Sequence, residues 1–549
     1  MRFRTVARAA VASALVATAG LVAVVAPARA ADTSTVLQGV KFVKDIAAAN
    51  GRLFISGNDR IAVTDESGST VGAITGLAEP YGLAVTPDGS RLYAALNGSN
   101  EIAEIDTAAL TVTRRFDLAA YPYPTYLSLA GDRLWVGHGP TNSWSGGVVG
   151  LDLSTTTPEP VRIASGLYGP PMIAAGGSTV VAGENGISPA DLNVYDVSTT
   201  PATLRGVIDG HTFRLGRLRD ITITADGSKA ITAFDEPFRY DIWDTTSLTR
   251  VGAYGEEPTF VGFPHAVALS ADGAHVIGAR ASRDQIELAG PRIAVYDAAT
   301  TTRLHTADNP AGQVVEGALT FSGTDAFTVL FDMSTGRYTL WRLRGATLAP
   351  SSVTATAPAT GTALVPLTVT GRLTLSDGSA PGAQPLLVTR RHPDGTSAAL
   401  APLTTATDGT FSITDTPPVG GTLQYEVLWD GNSAFRWSQA TVTVEVARQP
   451  STLTLTGPST ATSSRHLRFS GVLQTPGRPI APGTTLTVWR VLNGEDISTV
   501  YLPAVTPAAD GTFQFTDTPG AAGQYTYTVQ WDGDQTFTYA RTSHVVTVR

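Results

Sequence analysis

A short apolar strand ending in aspartate recurs along the first three hundred residues, and that period confines the chain to a repeat architecture. The copies are Ile61-Ala62-Val63-Thr64-Asp65, Ile102 to Asp106, Val148 to Asp152, Leu192 to Asp196, Tyr240 to Asp244 and Ile293 to Asp297. A seventh, Tyr338 to Arg342, has lost the aspartate, and successive copies end 41, 46, 44, 48, 53 and 45 residues apart. Each is preceded by an apolar strand, a tight turn and a second apolar strand. Leu83 to Tyr93, with Pro87-Asp88-Gly89 at its turn, is the clearest example; Ile221 to Gly227 and Val267 to Gly273 repeat it. Asp-Gly supplies the positive φ that a short hairpin demands. Leu127 to Gly131, Ile173 to Gly177 and Leu319 to Gly323 are degenerate versions. Four short strands per repeat, seven times over, describe a seven-bladed β-propeller across residues 31–346. No blade covers both its faces alone; closing the ring covers them and leaves only short sheet edges. A β-solenoid would use shorter and stricter repeats. The last blade is expected to have strands near 316–321, 326–331 and 338–343, with its outermost strand supplied by Thr35 to Val40 as a latch.

The pattern changes after Gly345. An Ala/Pro/Ser/Thr-rich stretch, Ala349 to Pro358, leads into two similar segments. Asp408-Gly409-Thr410-Phe411 to Pro417 returns as Asp510-Gly511-Thr512-Phe513 to Pro519, and Tyr425 to Gly431 as Tyr527 to Gly533, both shifted by 102 residues. About seven alternating strands in about 100 residues is the spacing of an immunoglobulin-like sandwich. The modules span 350–448 and 449–549, joined at Arg448-Gln449-Pro450, where Pro stiffens the junction. The expected class is therefore all-β, a propeller followed by two sandwiches. The composition agrees: of 549 residues only 15% are charged, and there is no Cys. The cores must hold without disulfides, and thiolate metal sites, Fe–S clusters and a thiol nucleophile are excluded.

The run Pro87-Asp88-Gly89-Ser90-Arg91-Leu92-Tyr93 resembles the YVTN-type repeats of secreted bacterial seven-bladed propellers, over residues 36 to 346. The ending Trp-Asp-Gly-Asn/Asp, at Trp429 to Asn432 and Trp531 to Asp534, resembles tandem bacterial Ig-like repeats of secreted and surface proteins. The first resemblance implies a fold shared by many functions; the second implies a spacer or adhesive arm.

Arg2, Arg4 and Arg8 precede an almost wholly apolar run from Ala9 to Ala26, and Ala28-Arg29-Ala30 follows. Residues 1–30 read as a secretory signal peptide, so the expected location is extracellular. Its removal takes away four arginines, and the formal net charge falls from −9 to −13. No second long apolar run is present, so no membrane span is expected after cleavage. The acidic balance argues against nucleic acid as the main partner.

One residue per blade falls at the start of the innermost strand: Lys44, Tyr81, Thr125, Pro171, Arg219, His265 and Glu316. These would ring the channel mouth. Arg219, His265 and Glu316 occupy consecutive blades beside Asp220, and a cation, a base and a carboxylate at one mouth are the parts of a hydrolytic or lyase site. The same groups serve equally for ligand contact or for pairing with one another. Loops expected on that face carry aromatic and polar residues: Tyr121 to Pro124 with Tyr123, His138 to Trp144, Tyr168 to Pro171, Glu184 to Asp191, Asp235 to Tyr240 and Ser282 to Pro291. Rings beside amides and carboxylates suit a sugar or a peptide, although such rings also plug the gaps between blades. The aspartates that close each third strand are expected to accept N–H groups in their turns. The Asp430-Gly431 and Asp532-Gly533 turns could touch calcium, which prefers oxygen ligands, but with few local carboxylates they read first as plain turns. The chain has no dinucleotide, phosphate-loop, zinc-protease or nucleophile-elbow motif. The expected role is a non-catalytic, monomeric extracellular protein without cofactor or metal. It would bind a glycan, cell-wall polymer or protein through Lys44, Tyr81, Tyr123, Trp144, Arg219, His265 and Glu316. A lactonase-like hydrolase or lyase using Arg219, His265 and Glu316 is the alternative.

Overall fold

Alternating strands without a single long amphipathic helical stretch fold as the repeat demands. A computed structural model describes residues 32–256, 262–282, 292–308, 312–494 and 498–549. The expected signal peptide lies outside the described residues, as does nearly all of the expected loop Ser282 to Pro291. Among the described residues, seven four-stranded antiparallel sheets form propeller-like blades. The blade formed by Asp45–Ala49, Arg52–Ser56, Ile61–Asp65 and Thr70–Ile74 sets the pattern: it runs from the innermost strand outward with tight turns. The innermost strands neighbour one another in order, and Gln313–Ser322 of the last blade packs beside Asp45–Ala49 of the first. Between blades lie apolar layers such as Phe54, Leu92, Ala94 and Ile105, or Trp135, Val148, Val180 and Ala182.

The last blade takes its outermost strand from the start of the chain. That strand is Thr33–Val36, paired antiparallel with Arg337–Leu343. The latch is two residues earlier and shorter than the expected Thr35 to Val40. Leu37 is buried and still donates its N–H to the Tyr338 carbonyl at 2.9 Å, and Gly39 then turns the chain with positive φ.

Residues 351–447 and 452–548 each form a two-sheet β-sandwich. In the first, Ser351–Thr356, Leu367–Leu375 and Thr410–Asp415 face a sheet built around Pro385–Arg391, Gly421–Trp429 and Ser438–Ala447. Val353, Leu373, Leu386, Val427 and Trp429 form a core between the two layers. The second repeats the arrangement with Leu473, Leu486, Val488, Val529 and Trp531. Without disulfides, each sandwich carries a buried polar knot instead. Arg390 ion-pairs with Asp415 at 2.7 Å, and the Tyr425 hydroxyl donates to the same carboxylate at 2.7 Å. Arg490, Asp517 and Tyr527 repeat this in the second sandwich.

The sandwiches leave the ring from the end of Arg337–Leu343, on the side opposite the mouth. Asp32, beside the latch strand, is gripped there by Arg436 of the first sandwich at 2.6 Å and receives the Arg344 backbone N–H at 3.0 Å. Arg344 pairs with Asp430, so that turn serves a junction between domains.

Candidate functional site

Each innermost strand starts at one end of the channel, so the loops that enter it, and those joining second to third strands, share that face. A cavity of about 780 Å³ opens there. Of the seven aligned positions, Lys44, Tyr81, Thr125, Arg219 and Glu316 line it, while Pro171 and His265 do not. Tyr123 also lines it, and Trp144 stands away on its loop with its ring edge-on to Tyr168, centroids 5.1 Å apart.

Arg219 is held from two sides. Its Nε donates to Asp235 at 2.6 Å and its Nη1 to Glu316 at 2.6 Å, across two blades. Arg217, two residues earlier, lies 3.9 Å from the other Glu316 oxygen. Arg217 is half exposed to the cavity, but its Nε is buried with no hydrogen-bond partner. Lys44 makes no ion pair among the described residues; its Nζ sits 4.6 Å from the centroid of the Tyr81 ring. His265 is enclosed beside this cluster. Burial holds its imidazole below the ordinary value, against the pull of Glu316, so it is neutral near pH 7. The structure thus brings Arg219, Glu316 and His265 together electrostatically but leaves the imidazole out of the cavity wall.

Deeper in the channel lie two carboxylates, one following Lys44 and one following Arg219. Asp45 accepts the Leu83 N–H at 2.8 Å, and Asp220 accepts the Val267 N–H at 2.8 Å. Each ties its innermost strand to that of the next blade; Ser128 does the same for the Ala175 N–H at 2.9 Å. Enclosure raises Asp45 to about 7 and Asp220 to about 8, despite these bonds. Burial pushes the Tyr126 phenol far up, so it keeps its proton at ordinary pH, and its oxygen accepts the Asn185 amide N–H at 2.7 Å. Asn97 donates to Thr125 at 3.1 Å.

Asp45, Asn97, Tyr126, Asn185 and Arg217 were not among the expected site residues. Asp45 and Asp220 had a signal, the shared pattern of cation, Asp and Ile at Lys44-Asp45-Ile46 and Arg219-Asp220-Ile221. Asn185 lies in the expected mouth loop Glu184 to Asp191, whereas Asn97 comes from a loop whose path no repeat specifies.

Exposure singles out this face. Among the described residues of the ring, the exposed large apolar side chains in loops are Phe42, Tyr123, Trp144, Phe238 and Met333, and all five belong to mouth-side loops. The remaining ones, such as Val71 and Leu204, sit on outermost strands. On the other face, the turns after the third strands carry no such side chain and are capped by aspartates. Asp65 accepts the Ser67 and Ser69 N–H groups, and Asp106, Asp152, Asp196, Asp244 and Asp297 do likewise. These bonds hold their carboxyls below the usual range.

No family model matches the chain, and no curated protein matches it. Solved structures resemble part of it. Kuenenia stuttgartiensis hydrazine synthase is 15% identical, with a TM-score of 0.43, over 56% of this chain and 98% of that one. The β-propeller domain of Myceliophteria thermophila Cps50 (Swd1) is 13% identical, with a TM-score of 0.42, over 57% of this chain and all of that one. Kluyveromyces lactis Hsv2 is 9% identical, with a TM-score of 0.36, over 55% of this chain and 98% of that one. At these scores the likenesses carry no argument about what this chain binds or does, and the channel mouth is read from its own residues.

Proposed function

We propose that the chain is an extracellular binding protein: a seven-bladed propeller that holds a glycan or cell-wall polymer at its channel mouth, carried on two immunoglobulin-like modules. The observation that carries this reading is the segregation of exposed rings to the face that also holds the cavity. Large apolar side chains left in water on one face, around a concavity with polar groups, mark a recognition surface. Tyr81, Tyr123, Asn97, Thr125 and Asn185 mix ring faces with hydroxyls and amides in the cavity wall, which is the chemistry a sugar residue needs. Lys44 and Arg217 add cations for an acidic substituent.

The pairing of Arg219 favours holding over turnover. Two carboxylates neutralise it, and the neutral His265 stands outside the cavity wall, so the trio offers a rigid partition between blades. The N-terminal segment supports an extracellular setting, and attachment of the modules opposite the mouth leaves the proposed face unobstructed.

The test is retention of the full mature chain on a panel of cell-wall polymers and glycans, with Lys44→Ala and Tyr123→Ala beside it. Each substitution is expected to weaken binding about tenfold, the loss of one ring or cation contact. Retention unchanged in both variants, or turnover of a glycan that Arg219→Lys abolishes, would overturn a binding-only mouth.

A further inference from the structure

We infer that the last module carries its own polysaccharide-binding platform, built from Trp489, Tyr501 and Arg541 on the outer face of its five-stranded sheet. On strand Thr487–Asn493, Val488 points into the core, so Thr487, Trp489 and Val491 face outward. Trp489 stands opposite Tyr501 on the edge strand and opposite Thr528 on the other side. The Trp489 and Tyr501 rings lie with centroids 6.2 Å apart, and the Arg541 guanidinium lies 5.0 Å from the Trp489 ring centre. Tyr501 is 72% exposed. Gln530 adjoins Arg541 and accepts the Tyr539 hydroxyl at 3.3 Å.

The first module shows that the fold does not need these groups. The buried knots align Arg490 with Arg390, so Trp489 corresponds to Thr389. Thr389 pairs with Ala399 where Trp489 pairs with Tyr501, and Leu428 pairs with Gln439 where Gln530 pairs with Arg541. Two rings and Arg541 thus stand at positions where the twin has Thr389, Ala399 and Gln439, while its outward Leu387 and Arg391 lie elsewhere on the strand, which separates the rings from core packing.

Their surroundings select the ligand. Among the described residues of these strands, Arg541 is the one charged group on this face, and Asp532 just beyond its edge accepts the Gln530 amide at 2.7 Å; hydroxyl and amide residues such as Thr487, Thr499, Thr526, Thr528, Gln530 and Ser543 make up most of the rest. A sheet face with two rings flanked by hydroxyls and amides fits the C–H faces and hydroxyls of a sugar chain. Two rings are too little apolar area for a stable protein interface. This inference does not rest on the mouth.

The experiment uses the full mature chain carrying Lys44→Ala and Tyr123→Ala, so that the proposed mouth contributes little. Its affinity is measured by gel retardation and pull-down on xylan, chitin, peptidoglycan and polygalacturonate. Retention by at least one polymer is expected, falling about tenfold in Tyr501→Ala and again in Trp489→Thr. Trp489→Thr installs the residue the first module already uses, and Tyr501 is exposed, so both variants are expected to fold. Preference for polygalacturonate would assign Arg541 to an acidic sugar; preference for a neutral polymer would assign the rings alone. No retention on any of the four, or retention in both variants unchanged from the parent, would overturn the platform.

Discussion

Asp45 and Asp220 are the residues at which the ring is most sensitive to its surroundings. Both carboxyls are raised, to about 7 and about 8, because enclosure disfavours their charge more than the Leu83 and Val267 N–H bonds favour it. In the unfolded chain an aspartate loses its proton near pH 4. Between that pH and about 7 to 8 the folded ring therefore binds more protons than the unfolded chain, and stability falls as pH rises. The expected outcome is a melting temperature that declines from pH 5 to pH 8, and Asp220→Asn flattens the decline while an amide oxygen still accepts the Val267 N–H. Thermal unfolding at several pH values checks this; an identical slope in the variant would contradict it. Arg219 poses the opposite case. Removing it leaves Asp235 and Glu316 without their shared, largely buried cation, and Arg219→Ala is expected to cost about 3 kcal/mol, measurable by denaturant titration. The ring position of Arg219 was legible because the repeat aligns it; its double pairing was not, because Asp235 and Glu316 reach it from other segments.

Among the strands, the latch matters most to ring integrity. Thr33–Val36 is the only partner on the outer side of Arg337–Leu343 among the described residues, and the Arg436 grip on Asp32 fastens it to the first sandwich. Deleting residues 32–36 is expected to lower the melting temperature of the ring by several degrees and to open the last blade to proteolysis. Arg436→Ala should produce a smaller loss and make the stretch between ring and sandwich easier to cleave, with the latch still paired. Tight approaches between blades supply another test: a Cβ on Gly146 would meet the Gly169 carbonyl oxygen at 1.8 Å. Gly146→Ala is therefore expected to displace the loop that carries Trp144, read as a change in Trp fluorescence. Strand order was readable from period-two alternation and Asp-Gly turns, which act locally. The exact latch was less so, since strand-like residues begin at Thr33, two before the expected start, and the pairing ends ahead of the Gly39 turn. The paired knots Arg390–Asp415–Tyr425 and Arg490–Asp517–Tyr527 escaped the sequence: their members lie 25 and 10, or 27 and 10, residues apart on different strands.

Across the molecule, two faces of one ring have been built differently. One leads to the sandwiches and exposes no large apolar side chain in its described loops; the other has a cavity, Lys44 over Tyr81, and exposed Tyr123, Trp144 and Phe238. Nothing in ring closure requires that asymmetry, since either set of loops could be short and polar. It gives the account its central claim, that the mouth face meets the ligand. Hydrogen–deuterium exchange on the chain from residue 31 onward, with and without soluble peptidoglycan fragments and xylan, tests it most directly. The account predicts slowed exchange in segments 37–44, 118–123, 139–145 and 168–171, and no change in the turns at 86–90 and 224–228. Protection confined to those turns, or no protection anywhere in the ring with either polymer, would contradict it.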